Sequence, residues 1–202
     1  MYTLYHFQIS CSSAVKIALE VIGAEHDTVT VNLFEGEQHK PEFLAVNPLG
    51  KVPVLVEGDQ VMTQGEAILI YLSQKHKDAN LMPDLSTKEG MNALKWLNLV
   101  ASSLHGHFTK IFHPESVATD QLSVKQNAEE EIIKLLNTIE AQLNESAMFV
   151  GEQPTLADFY FAVVLGWGQV LSFDLFERYP SFAQYKKELQ QHLPQSKTLQ
   201  MI

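Results

Sequence analysis

The first part of the chain alternates between strand-like and helix-like hydrophobic patterns. Residues 2–7 (YTLYHF) are rich in β-forming side chains and alternate apolar with polar positions, which predicts a strand. After Ser12 the apolar residues recur at the i, i+3, i+4, i+7 spacing of an amphipathic helix; they are Val15, Ala18, Leu19 and Ile22. Gly23 follows, where helices commonly end. The chain therefore begins with a strand and a helix.

Three further strands and two helices are predicted before residue 80. The strands are at 28–33, 52–56 and 60–62, and the helices are at 41–46 and 64–76. Residues 57–59 (EGD) are typical turn residues, so they predict a hairpin between the last two strands. The order β-α-β followed by β-β-α indicates an α/β domain, which we place at residues 1–79.

The pattern after residue 85 is helical throughout. It predicts long helices at about 86–112, 121–144 and 155–171, and shorter ones from about 180 to 192. Thr155 followed three residues later by Asp158 is typical of a capping box at a helix start. We expect a second, all-helical domain over residues 86–202.

Composition and charge exclude several function classes. Hydrophobic residues make up 46% of the 202 residues, as in ordinary globular proteins. The net charge of −10 would repel a phosphate backbone, so no nucleic-acid partner is expected. No apolar run reaches the roughly 20 residues that span a bilayer, and the first residues do not resemble a signal peptide. We therefore expect a cytoplasmic protein that does not bind membranes.

Three segments are candidates for chemistry. Cys11, the only cysteine, cannot form an internal disulfide; at a helix start its thiolate would be favoured, although a buried, inert cysteine is equally consistent. Val52-Pro53 is a candidate cis peptide that would leave the Val52 backbone free to pair with an extended peptide. Gln64-Gly65 begins a helix and could bind an anion, or simply cap the helix. His105 and His107, at i and i+2, lie on different helix faces, so no metal site is predicted.

Together these segments resemble the cytosolic glutathione transferases along nearly the whole chain. The segment NPLGKVPVL (47–55) resembles the family's N-P-x-G-x-V-P-x-L, and TQGEAILIYL (63–72) and PTLADFY (154–160) resemble two further family motifs. The resemblance implies a thioredoxin-like α/β N-terminal domain followed by an all-α C-terminal domain. It also implies a homodimeric detoxification enzyme that conjugates glutathione, its co-substrate, to small hydrophobic electrophiles without a metal.

Within that family the chain is most similar to the bacterial beta class. The matching segments are Cys11-Ser12, Trp96-Leu97-Asn98 and Leu104-His105. The resemblance implies that Cys11 and His105 are catalytic and that seven residues contact glutathione: Ser12, Lys40, Val52, Pro53, Gln64, Gly65 and Asn98. It implies an electrophile site at His105, Phe108 and Phe112. Asn98 and His105 are seven residues apart, so a regular helix would place them on one face, about 10 Å apart.

The chain departs from the beta-class pattern at the glutathione site. Gln64 stands where a glutamate is usual, which removes a negative charge from the expected ammonium site. Residues 34–37 (FEGE) are acidic where the class has a basic pair, so His39 or Lys40 would have to hold the glycyl carboxylate. Weaker glutathione binding than is usual in the class is expected.

Three alternatives remain at this stage. A mixed disulfide between Cys11 and glutathione would add thiol-disulfide reductase activity. A zeta-type maleylacetoacetate isomerase is favoured by Ser10-Cys11-Ser12, by VKIAL at 15–19 and by Gln64, whereas Ile9 and Ala14 depart from that class. The third alternative is a non-catalytic, transferase-like module that binds a protein partner; relatives of this kind lack a usable sulfur site.

Overall fold

The computed structural model describes residues 1–202 and begins with an α/β domain. Its elements are β1 (Tyr2–His6), α1 (Ser12–Ile22), β2 (His26–Thr30), α2 (Pro41–Leu44), β3 (Val54–Glu57), β4 (Gln60–Thr63) and α3 (Gly65–Lys75). The four strands form one sheet in the order β2-β1-β3-β4. β1 runs parallel to β2 and antiparallel to β3, and β3 and β4 form the predicted hairpin. This confirms the thioredoxin-like prediction.

The alternating pattern of β1 sets the position of the sheet relative to the helices. Tyr2, Leu4 and His6 are buried, whereas the residues between them are partly exposed. Of the first eight residues of α1 only Lys16 is not buried, because this helix packs against α3 and against helices of the C-terminal region. Gly23 ends α1 with a φ of 70°, a left-handed conformation that glycine adopts at little cost.

The remainder of the chain is helical, as predicted. Its helices are α4 (Lys88–Asn98), α5 (His105–Phe112), α6 (Gln121–Glu145), α7 (Leu156–Leu165), α8 (Leu175–Arg178), α9 (Pro180–His192) and α10 (Lys197–Met201). Every residue of α7 is buried, so this helix is the centre of the core. No helix combines the length and the hydropathy that crossing a membrane requires.

Two predicted helices are interrupted. The helix predicted at 86–112 contains a π-helical segment at Leu99–Leu104, between α4 and α5. A π turn contains an extra residue, so it rotates the following helix face relative to the preceding one. Asn98, just before this segment, is exposed and does not line the cavity that His105 lines. The α-helix predicted at 155–171 ends at Leu165. A 3₁₀ turn with two glycines, which are poor helix formers, follows at Gly166–Val170.

Two glycines in the helical region have opposite surroundings and give a paired test of packing. A Cβ on Gly90, in the first turn of α4, would overlap the backbone carbonyl of Asp84, whereas a Cβ on Gly106 in α5 meets nothing within 4 Å. We expect Gly90→Ala to lower the free energy of unfolding by about 1–3 kcal/mol. Gly106→Ala should raise it by about 0.5–1 kcal/mol, because alanine favours helix. Urea unfolding of both variants measures this difference, and equal effects would contradict the described packing.

Candidate functional site

A cavity of about 410 Å³ lies between the α/β domain and the helical domain. Such a volume is in the usual range for small-molecule sites. The lining residues come from the start of α1, the loop before β3, the start of α3, and α5 and α7 with the π-helical segment before α5. They are Cys11, Asn47, Leu49, Lys51, Val52, Pro53, Thr63, Gln64, Gly65, Glu66, Ala67, Ile70, Ala101, His105 and Tyr160. The cavity thus contains all three segments that the sequence indicated.

The Cys11 thiol lies close to the Val52 carbonyl in the cavity. Its Sγ donates a weak hydrogen bond to that oxygen over 3.7 Å. Burial raises the pKa of the thiol to about 11, although the Tyr160 hydroxyl partly opposes this shift by hydrogen bonding to the sulfur. Burial of the thiol therefore acts against the thiolate that the helix start was expected to favour.

Tyr160 connects Cys11 to His105. Its hydroxyl lies 2.9 Å from Nδ1 of His105, and the residue is only 3% exposed. Burial lowers the pKa of His105 to about 4, so its imidazole is neutral at pH 7. Tyr160 was not identified from the sequence as a site residue. The available signal was a phenol hydroxyl in an otherwise apolar helix, where a buried O–H needs a partner.

A tryptophan fixes the position of His105. The Trp167 ring lies 4.9 Å from the His105 ring, centroid to centroid. Its Nε1 donates a hydrogen bond to the Ile9 carbonyl over 2.8 Å, which joins the end of α7 to the turn before α1. This hydrogen bond connects the two domains close to Cys11. The Trp167 ring also forms an apolar surface next to His105.

The Val52-Pro53 peptide is cis, as the sequence suggested. Val52 is not part of the ladder of β3, and its N–H has no partner in the backbone. The buried Asn47 holds this loop: its side chain donates to the Lys51 carbonyl over 2.7 Å and accepts from the Leu49 N–H over 3.1 Å. The Val52 backbone is consequently available to an extended peptide.

The start of α3 forms the opposite wall of the cavity. Gln64 has a φ of 68°, an uncommon left-handed conformation for a residue that is not glycine, and conformations of this kind concentrate at functional sites. The N–H groups of the first helical turn have no partner within the helix. A Cβ on Gly65 would lie in van der Waals contact with the Pro53 ring, at 3.4 Å, so the start of α3 lies directly against the cis proline. An anion can reach these N–H groups.

Five residues implied by the resemblance do not line the cavity. Ser12 is fully buried, and its Oγ lies 2.7 Å from Nδ1 of His6 and accepts from the Phe7 N–H. Lys40 pairs with Glu37 over 2.9 Å on the surface. The other three are Asn98, Phe108 and Phe112.

The two phenylalanines nevertheless lie close to the cavity. Their ring centroids are 5.6 Å (Phe108) and 5.7 Å (Phe112) from that of Trp167. Phe108 is 1% exposed and Phe112 is 39% exposed, so only Phe112 is open to an incoming molecule. The structure contains no group of three or more His, Cys, Asp or Glu side chains that is arranged to hold a metal ion.

Comparison with known protein families gives matches over most of the chain. The family model "Glutathione S-transferase, N-terminal domain" matches residues 1–74, and the corresponding C-terminal model matches residues 99–192. Glutathione S-transferase F10 of Arabidopsis thaliana is 32% identical over 164 residues, 77% of this chain and 75% of that protein. A zeta-class glutathione S-transferase of Euphorbia esula is 42% identical over 99 residues, 49% of this chain and 44% of that protein.

Solved structures give the same family. A glutathione transferase homologue from Sulfitobacter with bound glutathione has a TM-score of 0.85 and 26% identity, with 100% of this chain and 96% of that chain covered. A beta-class glutathione S-transferase of Sphingomonas chungbukensis has a TM-score of 0.84 and 29% identity, with 98% of each chain covered.

Proposed function

The chain belongs to the glutathione S-transferase family, and from this premise we propose that its interdomain cavity binds glutathione and adds the glutathione sulfur to small hydrophobic electrophiles. One observation carries this proposal. A free peptide edge at Val52, an anion-binding helix start at Gly65 and the Cys11–Tyr160–His105 row lie in a single cavity. A tripeptide with a carboxylate at each end and a thiol in the middle matches that arrangement.

Each part of glutathione has a counterpart in the cavity. The cysteinyl backbone would pair with the N–H and C=O of Val52, as an added strand does. The γ-glutamyl carboxylate would accept hydrogen bonds from N–H groups at the start of α3, next to Gly65. The thiol would then lie beside Cys11. Lys51 would hold the glycyl carboxylate in place of Lys40, because only Lys51 lines the cavity.

The Cys11–Tyr160–His105 row activates the bound thiol. The thiolate is the nucleophile, so catalysis requires that the pKa of the glutathione thiol be lowered. The Cys11 thiol is neutral at pH 7, so it can donate its S–H to that thiolate. The thiolate then forms the bond to the electrophilic carbon, the leaving group departs with the bonding electrons, and the thiol proton passes to solvent. His105 is neutral and acts by holding the Tyr160 hydroxyl.

The apolar wall beside His105 selects the electrophile. Phe112 offers exposed aromatic surface and packs against the buried Trp167 ring, which in turn contacts His105. A small, hydrophobic and preferably aromatic electrophile would pack there and be held near the thiolate. We therefore propose a detoxification role, with His105, Phe108 and Phe112 at the electrophile site. Phe108 contributes by supporting Trp167, since its own side chain is buried.

The choice between the two lysines gives a direct test of glutathione placement. We expect Lys51→Ala to raise the dissociation constant for glutathione about tenfold, because a charge-assisted hydrogen bond to a carboxylate is lost. Lys40→Ala is the matched control and should change it by less than about twofold, because the Lys40 side chain faces Glu37. Titration calorimetry measures both. A larger loss of affinity with Lys40→Ala than with Lys51→Ala would indicate that the glycyl carboxylate binds at the loop after β2 instead.

The finer classification is also a proposal. The Cys11-Ser12 and Leu104-His105 segments and the Sphingomonas chungbukensis structure support the beta class. Consistent with that class, we propose a cytoplasmic homodimer with domains at 1–79 and 86–202. Reductase activity through a mixed disulfide at Cys11 is disfavoured by the raised pKa of its thiol, since the thiolate is the attacking species.

A zeta-type isomerase is the second candidate function. The 42% identity to the Euphorbia esula zeta-class protein and the presence of Gln64 in the cavity favour it. Turnover of maleylacetone with catalytic glutathione, faster than conjugation of chlorodinitrobenzene, would establish this function instead. A non-catalytic binding module would show neither reaction and no thermal stabilisation by glutathione.

A further inference from the structure

The cavity contains two charged side chains of opposite sign, and neither has an ionic partner in the protein. They are Lys51 and Glu66; the other titratable lining residues are neutral at pH 7, because burial raises the pKa values of Cys11 and Tyr160 and lowers that of His105. The four ion pairs of the protein include neither of them. A ligand that bears both charges would satisfy both residues.

Glu66 lies where a ligand ammonium group would be expected. It is the second residue of α3, and its partly buried side chain lines the cavity. Burial raises the pKa of its carboxyl group, as expected for a carboxylate that has lost water without gaining a cation. Gln64, two residues earlier, is exposed and has a neutral amide.

The chemistry of a γ-glutamyl group restricts the distance between its charges. Its carboxylate and ammonium groups are attached to the same carbon atom, so both must be bound within a few ångströms of each other. If the carboxylate accepts from the N–H groups at the start of α3, the ammonium group lies beside the side chains of that same turn. The candidates there are the Gln64 amide and the Glu66 carboxylate. A charge-assisted hydrogen bond is roughly twice as strong as a neutral one, which favours Glu66.

We propose that Glu66 is the specificity-determining partner of the γ-glutamyl ammonium group, and that it replaces a negative charge absent at Gln64. This inference rests on the proposed function. The sequence predicts that the ammonium site lacks a negative charge, because Gln64 is neutral. In the proposed arrangement Glu66, two residues later, supplies that charge. The cavity then prefers a γ-glutamyl group, which carries a free amine, over a glutaryl group, which has the same carboxylate but no amine.

The test compares glutathione with glutaryl-cysteinylglycine, which is glutathione without its amino group, as ligands in titration calorimetry. The wild type should bind glutathione about tenfold more tightly than the deaminated analogue. Glu66→Gln should abolish this preference. It should raise the dissociation constant for glutathione about tenfold and change that for the analogue by less than about twofold. Gln64→Ala tests the competing amide: whatever it does to overall affinity, the ratio between the two ligands should stay about tenfold, and loss of that ratio would overturn the assignment. Thermal melting confirms that each variant is folded.

A rescue variant separates charge from shape. Adding Gln64→Glu to Glu66→Gln returns one carboxylate to the same turn and should restore at least part of the preference for the free amine. Equal losses for both ligands in Glu66→Gln, or a full preference that persists in it, would overturn the assignment of Glu66. Binding of neither ligand by the wild type would reject the proposed function itself, which is a distinguishable result.

Discussion

Replacement of Asp158 by alanine is expected to lower the free energy of unfolding by about 3–5 kcal/mol. Asp158 is fully buried and accepts four hydrogen bonds: from the Thr155 N–H at 2.7 Å, the Thr155 hydroxyl at 2.8 Å, the Phe149 N–H at 3.1 Å and the Tyr185 hydroxyl at 2.7 Å. Without the carboxylate these donors would be buried and unpaired. Since α7 is the centre of the core, the whole fold depends on this helix start.

A second helix cap provides the control for this prediction. Asp174 accepts a hydrogen bond from the Glu177 N–H at 2.8 Å at the start of α8, but it is exposed to solvent. Asp174→Ala should cost only about 1 kcal/mol, because water can replace the lost carboxylate. Chemical denaturation of both variants gives the comparison. Similar losses would show that the Asp158 network adds little beyond an ordinary cap.

The second large effect concerns the reactivity of Cys11 without ligand. With a thiol pKa of about 11, roughly one molecule in three thousand carries the thiolate at pH 7.5. Compared with a free thiol of pKa about 8.5, the thiolate fraction is roughly 300-fold lower, and the greater nucleophilicity of a more basic thiolate recovers about tenfold. We therefore expect alkylation by iodoacetamide to be about thirtyfold slower than that of free glutathione at pH 7.5.

The pH dependence of alkylation identifies the cause. Because Cys11 is the only cysteine, intact mass reports its modification alone. The rate should rise about tenfold per pH unit between pH 7 and 9.5 without levelling off. Tyr160→Phe should be slower still at each pH, since the hydroxyl that lowers the pKa of Cys11 is removed. A plateau near pH 7 would instead indicate a thiolate stabilised by the start of α1.

Local patterns were sufficient to predict most of the fold. The strands and helices follow from hydrophobic periodicity, and the positions of Gly23 and Asp158 follow from requirements at helix ends. The π-helical segment before His105 was not predicted, because the apolar pattern continues through it. Asn98, which precedes that segment, is exposed and does not line the cavity.

The site was predicted in part, and its electrostatics were not. Cys11, Val52 and Gln64 all line the cavity. Each could be predicted because the local sequence encodes its feature, a helix start or a cis proline. The roles of Tyr160 and Lys51 depend on which side chains from distant segments share a cavity. The pKa of Cys11 likewise depends on burial by the second domain, which the sequence around residue 11 does not reveal.

A crystal structure of the protein with glutathione would test the central proposal most directly. We expect the cysteinyl backbone of the ligand to pair with the N–H and C=O of Val52, and its sulfur to lie within hydrogen-bonding distance of Cys11 Sγ. Its γ-glutamyl carboxylate should lie at the start of α3, next to Gly65. Glutathione bound elsewhere, or a cavity that stays empty at saturating glutathione, would contradict the proposed site.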